Sequence, residues 1–375
     1  MNNTPITGPS TATPSVRLTS IDALRGFDML WITGGAGVVC AIARLICPDS
    51  SFFREQFEHV NWVGMRFEDL IMPLFMFLAG VSLPFSVASR LAKNPSKWHL
   101  WGHILKRILL LWIFGMAVQG NLLTWNPENW VYYSNTLQAI AAGFLIACLF
   151  HLYASRRWQY IGAALLLLVS WAVYAWIPAP GRQAGDYTED GNIAIWIDHY
   201  LMGDHQDGTP YSWIFSSLNF GVTTMLGMFA GCLLRRADWS GNRKTLWLAG
   251  AGTAAILLSL CWAPFHPIIK HIWTGSFTLL SGGISLMLLA LFYWVIDVKG
   301  FQRWSYFFVV IGSNAIAAYM LNNIAPINQL SGRLFNGLDH WLSGGTKSLV
   351  HAAGPVLVLW LILWLLRRHK IFLKV

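Results

Sequence analysis

Runs of about twenty apolar residues recur along the whole 375-residue chain, and that recurrence leaves few folds open. A helix of that length crosses a hydrocarbon core of about 30 Å. Within lipid a helix satisfies its own backbone hydrogen bonds, which an irregular segment cannot do. Charged residues make up only 11% of the chain and hydrophobic ones 55%, where soluble domains carry about 25% charged residues. The mean hydropathy is +0.48. The sequence therefore predicts an all-α, polytopic membrane bundle of about ten transmembrane helices, at 21–46, 67–89, 100–120, 135–153, 158–177, 212–234, 245–264, 273–296, 304–327 and 348–366.

The first of these spans is the least regular, with Asp22, Arg25, Asp28 and the run Gly34-Gly35-Ala36-Gly37. Many of the 21 Trp lie near span ends, among them Trp62, Trp98, Trp125, Trp130 and Trp304, as interfacial anchors do. Residues 1–16 are uncharged and rich in Ser, Thr and Pro. They lack the basic start of a signal peptide and read as a disordered cytoplasmic tail, with 17–375 as one membrane domain. The five Cys form no CxxC pair and suggest no metal site. Gly227 and Gly231 form a small-residue pair suited to close helix packing.

Charge orients the chain. With both termini cytoplasmic, only Arg44, Arg54, Arg66, Arg182, Lys270, Arg333 and Lys347 of the 26 basic residues fall outside. The opposite topology reverses that ratio, so the positive-inside rule favours N-in and C-in. The net charge of +9 is then explained by loops facing anionic lipid; no nucleic-acid-binding motif accompanies it. His59, in the link between the first two spans, faces outward. So does the loop of about 178–211, whose acids and aromatics include Asp186, Tyr187, Asp190, Trp196 and Asp198. Such a loop reads as a solvated link, with stacking on a sugar or binding of an amine as the alternative.

His59 stands out because of its company. Glu58 precedes it, Asn61 and Trp62 follow, and Asp69 lies at the mouth of the second span. A carboxylate beside an imidazole fixes its tautomer and raises its basicity, and such an imidazole can serve as a general base or itself accept an acyl group. On the inner side Asp22 and Arg25 are three residues apart and can pair on one helix face. They form either a locking ion pair or a phosphate contact. Lys106 and Arg107, inside the third span, either snorkel or line an anion entry. Asn314 is a mid-span amide in the ninth span, where a helix-to-helix hydrogen bond competes with a site role.

The stretch Arg17-Leu-Thr-Ser-Ile-Asp22-Ala-Leu-Arg25-Gly26, then His59-Val-Asn-Trp62-Val-Gly64 and Asp69-Leu-Ile-Met-Pro73-Leu-Phe75, resembles the motifs of the transmembrane acetyltransferases typified by heparan-α-glucosaminide N-acetyltransferase. Leu137-Gln138, Trp196 to His205, Gly227 with Gly231, Lys270 to Phe277, Asp297 to Gly300 and Gly312 to Tyr319 follow in the family's order. The stretch between Gly26 and His59 departs from the pattern. The resemblance implies an enzyme of a bacterial inner membrane that takes acetyl-CoA from the cytoplasm and acetylates a saccharide outside, a terminal amino sugar in the first instance. It implies His59 as catalytic base or transient acetyl carrier, oriented by Glu58 or Asp69. Arg17, Asp22, Arg25, Lys106, Arg107 and Asn314 would then face the donor, and Asn61, Trp62 and Gln138 the acceptor. A homodimer stays open. Two rival readings of the residues are an O-acyltransferase of envelope polysaccharide, as in the acyltransferase-3 family, and a sugar or drug transporter, which inverted repeats would favour and for which none is visible.

Overall fold

The computed structural model describes residues 18–47 and 49–373. The tail 1–16 and Arg17 lie outside the described residues. Among those described, fifteen α-helices account for the architecture and no strand forms; one isolated bridge joins Val63 to Ile269.

The first span is α1 (Thr19–Leu30) and α2 (Ala36–Ile46), joined by a π-helical turn at Trp31–Gly35. The irregularity expected from its glycines is a real break. Gly34 sits at φ +112°, a conformation that glycine alone adopts without strain. Thr33 turns its hydroxyl back to the Met29 carbonyl at 3.0 Å. The start of α1 is held by Asp297, which accepts from the N–H groups of Thr19 (3.1 Å) and Ser20 (3.2 Å). The link that follows contains α3 (Phe52–Gln56) and the His59 segment.

Next come α4 (Glu68–Lys93), α5 (Lys97–Val118), α6 (Thr136–Tyr153) and α7 (Arg156–Trp176). The expected spans agree with these to within a few residues. The long loop after α7 folds around a short helix, α8 (Ile193–Met202), before α9 (Ser217–Leu234), α10 (Gly241–Trp262) and α11 (Gly275–Phe292). The span expected at 212–234 starts later because residues 212–215 are spent wrapping a buried carboxylate. Asp198 accepts from the N–H groups of Trp213, Ile214 and Phe215 and from the Ser212 hydroxyl. Burial pushes Asp198 up to about 6 against the pull of those donors.

The expected ninth span, 304–327, is two helices, α12 (Tyr306–Gly312) and α13 (Ala315–Ile324), bent by 61°. The bend falls at Ser313–Asn314. The Asn314 amide leaves the helix to grip the C-terminal segment: it donates to the Ile371 carbonyl at 2.9 Å and accepts from the Leu373 N–H at 3.1 Å. Helices α14 (Ile327–Phe335) and α15 (Gly344–Arg368) complete the chain. Nine helices among the described residues are long and apolar enough to cross a membrane, ten with the bent pair counted as one span.

The centre of the bundle is α4 against α9. A methyl group at Gly80 would strike the Thr224 carbonyl, and one at Gly227 or Gly231 would strike the Phe77 or Val81 carbonyl. The two backbones therefore meet directly, the arrangement that small residues permit in lipid. Gly283 of α11 meets Gly252 of α10 in the same way, and Gly26 of α1 meets Phe308 and Gly312 of α12. The many hydroxyls of the core cost little, because they bond back to their own helix: Ser281 to the Phe277 carbonyl and Ser285 to that of Ser281, both at 2.7 Å.

Candidate active site

Helix α4 begins where its first carboxylates can reach the preceding link. Asp69 is fully buried, and its four acceptor positions are filled. Oδ2 accepts from the N–H groups of Val60 (3.3 Å) and Arg66 (3.0 Å). Oδ1 faces His59 Nδ1 at 2.9 Å and Lys270 Nζ at 3.2 Å. The loop 58–67 is thus wound around one anion, and the imidazole is one of its ligands. Of the two carboxylates expected beside His59, Asp69 takes the place. Glu58 turns outward to Arg54 at 3.7 Å.

His59 is half exposed, its side chain 51% accessible beside a fully buried Asp69. Its Nε2 takes no hydrogen bond among the described residues, and the residue lines a cavity of about 430 Å³. Glu68, Lys270, Tyr211, Tyr319, Asn322 and Asn323 share that cavity. It offers carboxyl, amide and phenol groups on an apolar wall, the mixture that orients a polar ligand. Burial pushes the Tyr211 phenol up to about 12, so it stays a donor.

Lys270, noted in the sequence only within a family motif, belongs to the site. It is buried, 3.1 Å from His59 Nδ1. Burial pushes its ammonium below the ordinary value while Asp69 pulls it back. A carboxylate claims the Nδ1 proton of histidine, which leaves the Lys270 protons for Asp69 and sets Nε2 free as the basic nitrogen. The signal was in the sequence: a lone Lys in the apolar stretch Pro267-Ile-Ile-Lys270-His-Ile-Trp273.

The other expected acceptor contacts are placed less directly. Trp62 donates from its indole to the Tyr187 carbonyl at 2.8 Å and stacks on His271. Asn61 is exposed beside it. Gln138 is buried, with its amide spent on the entry turn of α6: it donates to the Tyr132 carbonyl and accepts from the N–H groups of Ser134 and Asn135. Gln138 is thus held in the turn behind Ser134 and Thr136, which line the cavity.

At the other end of the bundle, Arg25 pairs with Asp22 at 3.1 Å and donates to Ser82 of α4 at 2.7 Å. Ser82 lies thirteen residues along α4 from Asp69, about 20 Å of helix. Lys106 and Arg107 line a separate small pocket with Arg90 and His103, and the Arg107 guanidinium lies 4.3 Å over Phe144 with a buried, unpartnered Nε. Asp22 borders a third cavity, of about 720 Å³, with Arg303 and Arg367. Asn314 is occupied by the C-terminal segment. Of the expected donor residues, Asp22, Arg25, Lys106 and Arg107 thus lie away from His59 and are divided between pockets. Between the two ends Asp28 is fully buried with both carboxyl oxygens unpartnered, within electrostatic reach of Glu68.

His266 ties the segment before α11 to the loop that carries Tyr187. Its Nε2 accepts from the Gly275 N–H at 2.8 Å, and its Nδ1 bonds the Tyr187 hydroxyl at 2.9 Å. Burial pushes it down to about 3, from the ordinary imidazole value of about 6.5. As pH falls below 6.5 the opened chain takes a proton that the folded one refuses, so stability present above 6.5 is lost on the way towards 3. At pH 4.5 the loss from this residue is about 2–3 kcal/mol. Thermal unfolding in detergent shows it as a falling Tm between pH 7 and 4.5, and His266→Gln flattens that slope.

The family model described as heparan-alpha-glucosaminide N-acetyltransferase, catalytic, matches residues 17–264. The human heparan-alpha-glucosaminide N-acetyltransferase is 26% identical over 422 aligned residues, which cover 96% of this chain and 60% of the relative. The mouse protein of the same name is 25% identical over 380, covering 85% and 56%. The chain thus spans less than two thirds of the length of these relatives.

Proposed function

The chain belongs to the heparan-alpha-glucosaminide N-acetyltransferase catalytic family, and on that premise we propose that it is a membrane-embedded acetyltransferase with His59 as its base. The observation that carries the reading is the Asp69–His59 pair. One ring nitrogen is held by a buried carboxylate, the other takes no hydrogen bond among the described residues, and the residue lines a cavity able to hold a polar acceptor. Acetyl-CoA is the donor by this reading. It enters from the basic end of the bundle, which the charge count places in the cytoplasm, and its phosphates meet groups drawn from Arg25, Lys106 and Arg107, with Arg17 beyond the described residues. The thioester then reaches across the bundle to His59.

The chemistry is a proton transfer coupled to acyl transfer. His59 Nε2 takes a proton from the acceptor nitrogen as that nitrogen attacks the thioester carbonyl. The C–S bond breaks, and the departing sulfur receives the proton from the imidazolium. Asp69 keeps the tautomer that makes Nε2 basic and stabilises the imidazolium as it forms. Holding the acceptor and the thioester together supplies much of the rate. The acceptor in this proposal is an amino sugar held among Tyr211, Asn322 and Asn323 on the outer side. The printed names of the relatives motivate it.

The test is acetyl transfer from labelled acetyl-CoA to glucosamine by the purified chain in sealed proteoliposomes. Product in the compartment opposite the donor supports the reading. An ester product labile to hydroxylamine points to O-acyl transfer, and sugar flux without acetyl-CoA to a transporter. Absence of any transfer by a folded sample overturns the proposal. Asp69→Asn lowers kcat by about 10²–10⁴-fold, because an amide in place of the carboxylate no longer compels the Nδ1–H tautomer. A rate within threefold of wild type refutes that role.

A further inference from the structure

A second cavity lies far from His59, at the end of the bundle where α7 begins and α9 ends. It measures about 830 Å³ and runs between α7 and α10, with α9 and α11 as its floor. Its walls are apolar: Ala164 and Leu167 on one side, Leu226 and Phe229 beneath, Ala251 on the other. Its mouth is aromatic and basic. Tyr160 and Trp247 stand exposed there, and Arg156 and Arg236 line the same opening.

The charge at this mouth is one-sided. Arg156 and Arg157 open α7, Arg235 and Arg236 follow α9, and Arg243 and Lys244 lie in the first turn of α10, with Asp238 as the one acid between α9 and α10. Asp238 is held by Arg236. Two guanidiniums, those of Arg236 and Arg243, rest on Trp239 at 4.1 and 4.2 Å, which holds them at the mouth. Arg156 makes no hydrogen bond or ion pair with any described residue.

We propose that this groove is a binding site for one anionic phospholipid, with its phosphate on Arg156 and Arg236 and an acyl chain laid between α7 and α10. The occupant must carry an anion and an apolar chain on one molecule, since the groove offers arginines and an apolar cleft within one opening. Basic pockets between transmembrane helices take anionic headgroups for this reason. A second copy of the chain would have to press its own basic rim against this one. The aromatic ring of Tyr160, Trp239 and Trp247 marks the headgroup depth. The site is independent of the proposed acetyl transfer, so it stands or falls separately.

The test is native mass spectrometry of the full chain released from micelles doped equally with dioleoylphosphatidylglycerol and dioleoylphosphatidylcholine. The wild type is expected to retain one phosphatidylglycerol in preference to phosphatidylcholine. The double variant Arg156→Gln/Arg236→Gln, both at exposed positions, loses roughly tenfold to thirtyfold of that preference. Ala164→Trp, which fills the cleft from an exposed position and leaves the arginines in place, loses it too. Equal retention of the two lipids by the wild type overturns the proposal. So does an unchanged preference in either variant, or a lipid-free dimer that Ala164→Trp dissociates.

Discussion

His59→Ala is expected to lower acetyl transfer by about 10²–10⁴-fold and to leave the protein folded. The first half follows from losing the ring nitrogen that the Asp69 contact leaves basic. The second follows from the surroundings. The imidazole is half exposed, so its removal empties no core volume. Asp69 keeps its other three donors, Lys270 and the N–H groups of Val60 and Arg66, so no buried charge is stranded. Donor binding is expected to persist, because the basic groups lie about 20 Å away. The measurement is single-turnover transfer beside calorimetric binding of acetyl-CoA. Wild-type turnover in the variant removes His59 from the chemistry, and loss of the fold removes the argument about its surroundings.

Gly80→Leu is expected to have the largest effect on stability. Its side chain would have to occupy the space of the Thr224 carbonyl, and backbone held in a helix cannot step aside as a side chain can. Overpacking of ordinary cores costs about 1–3 kcal/mol; here the obstacle is main chain on both sides, so the loss is about 3 kcal/mol or more. Gly227→Leu meets the Phe77 carbonyl and behaves alike, whereas Gly102→Leu, with open space around it, is neutral. Thermal unfolding of detergent-purified variants checks the series. A Tm for Gly80→Leu within a degree or two of wild type would mean that α4 and α9 can part without loss.

Span positions were legible because hydropathy and length both report on the same bilayer. The glycine contacts were half legible. Gly227 and Gly231 announce a packing face, but the partner notch at Gly80 is one glycine in an apolar run, and sequence does not say which helix it meets. The pairing of His59 with Asp69 was open between two carboxylates. The choice was made by the winding of residues 58–67, which turns Glu58 out to Arg54. Lys270 was not read as part of the site because it lies 211 residues from His59, and no local pattern links the two. For Asn314 the sequence left a helix-to-helix hydrogen bond and a site role open; the amide bonds the returning backbone of Ile371 and Leu373. Gln138 is occupied in a related way. The amide sits where an acceptor contact was expected, yet the turn into α6 uses every atom of it.

The interlocked glycines also restrict how this molecule can move. Two helices whose carbonyls sit in each other's notches cannot slip by a turn, since the next residue along carries a side chain into the notch. Helices α4 and α9 therefore travel as one body, and α4 brings Asp69 with it. Any door to the cavity must hinge on the opposite wall. There Gly34 breaks the first span and Ser313–Asn314 breaks the pair α12–α13, and Ile32 and Asn322 border the cavity from those two jointed elements. The frame that holds the base is the stator of this machine, and its rotor is the pair of broken helices facing it.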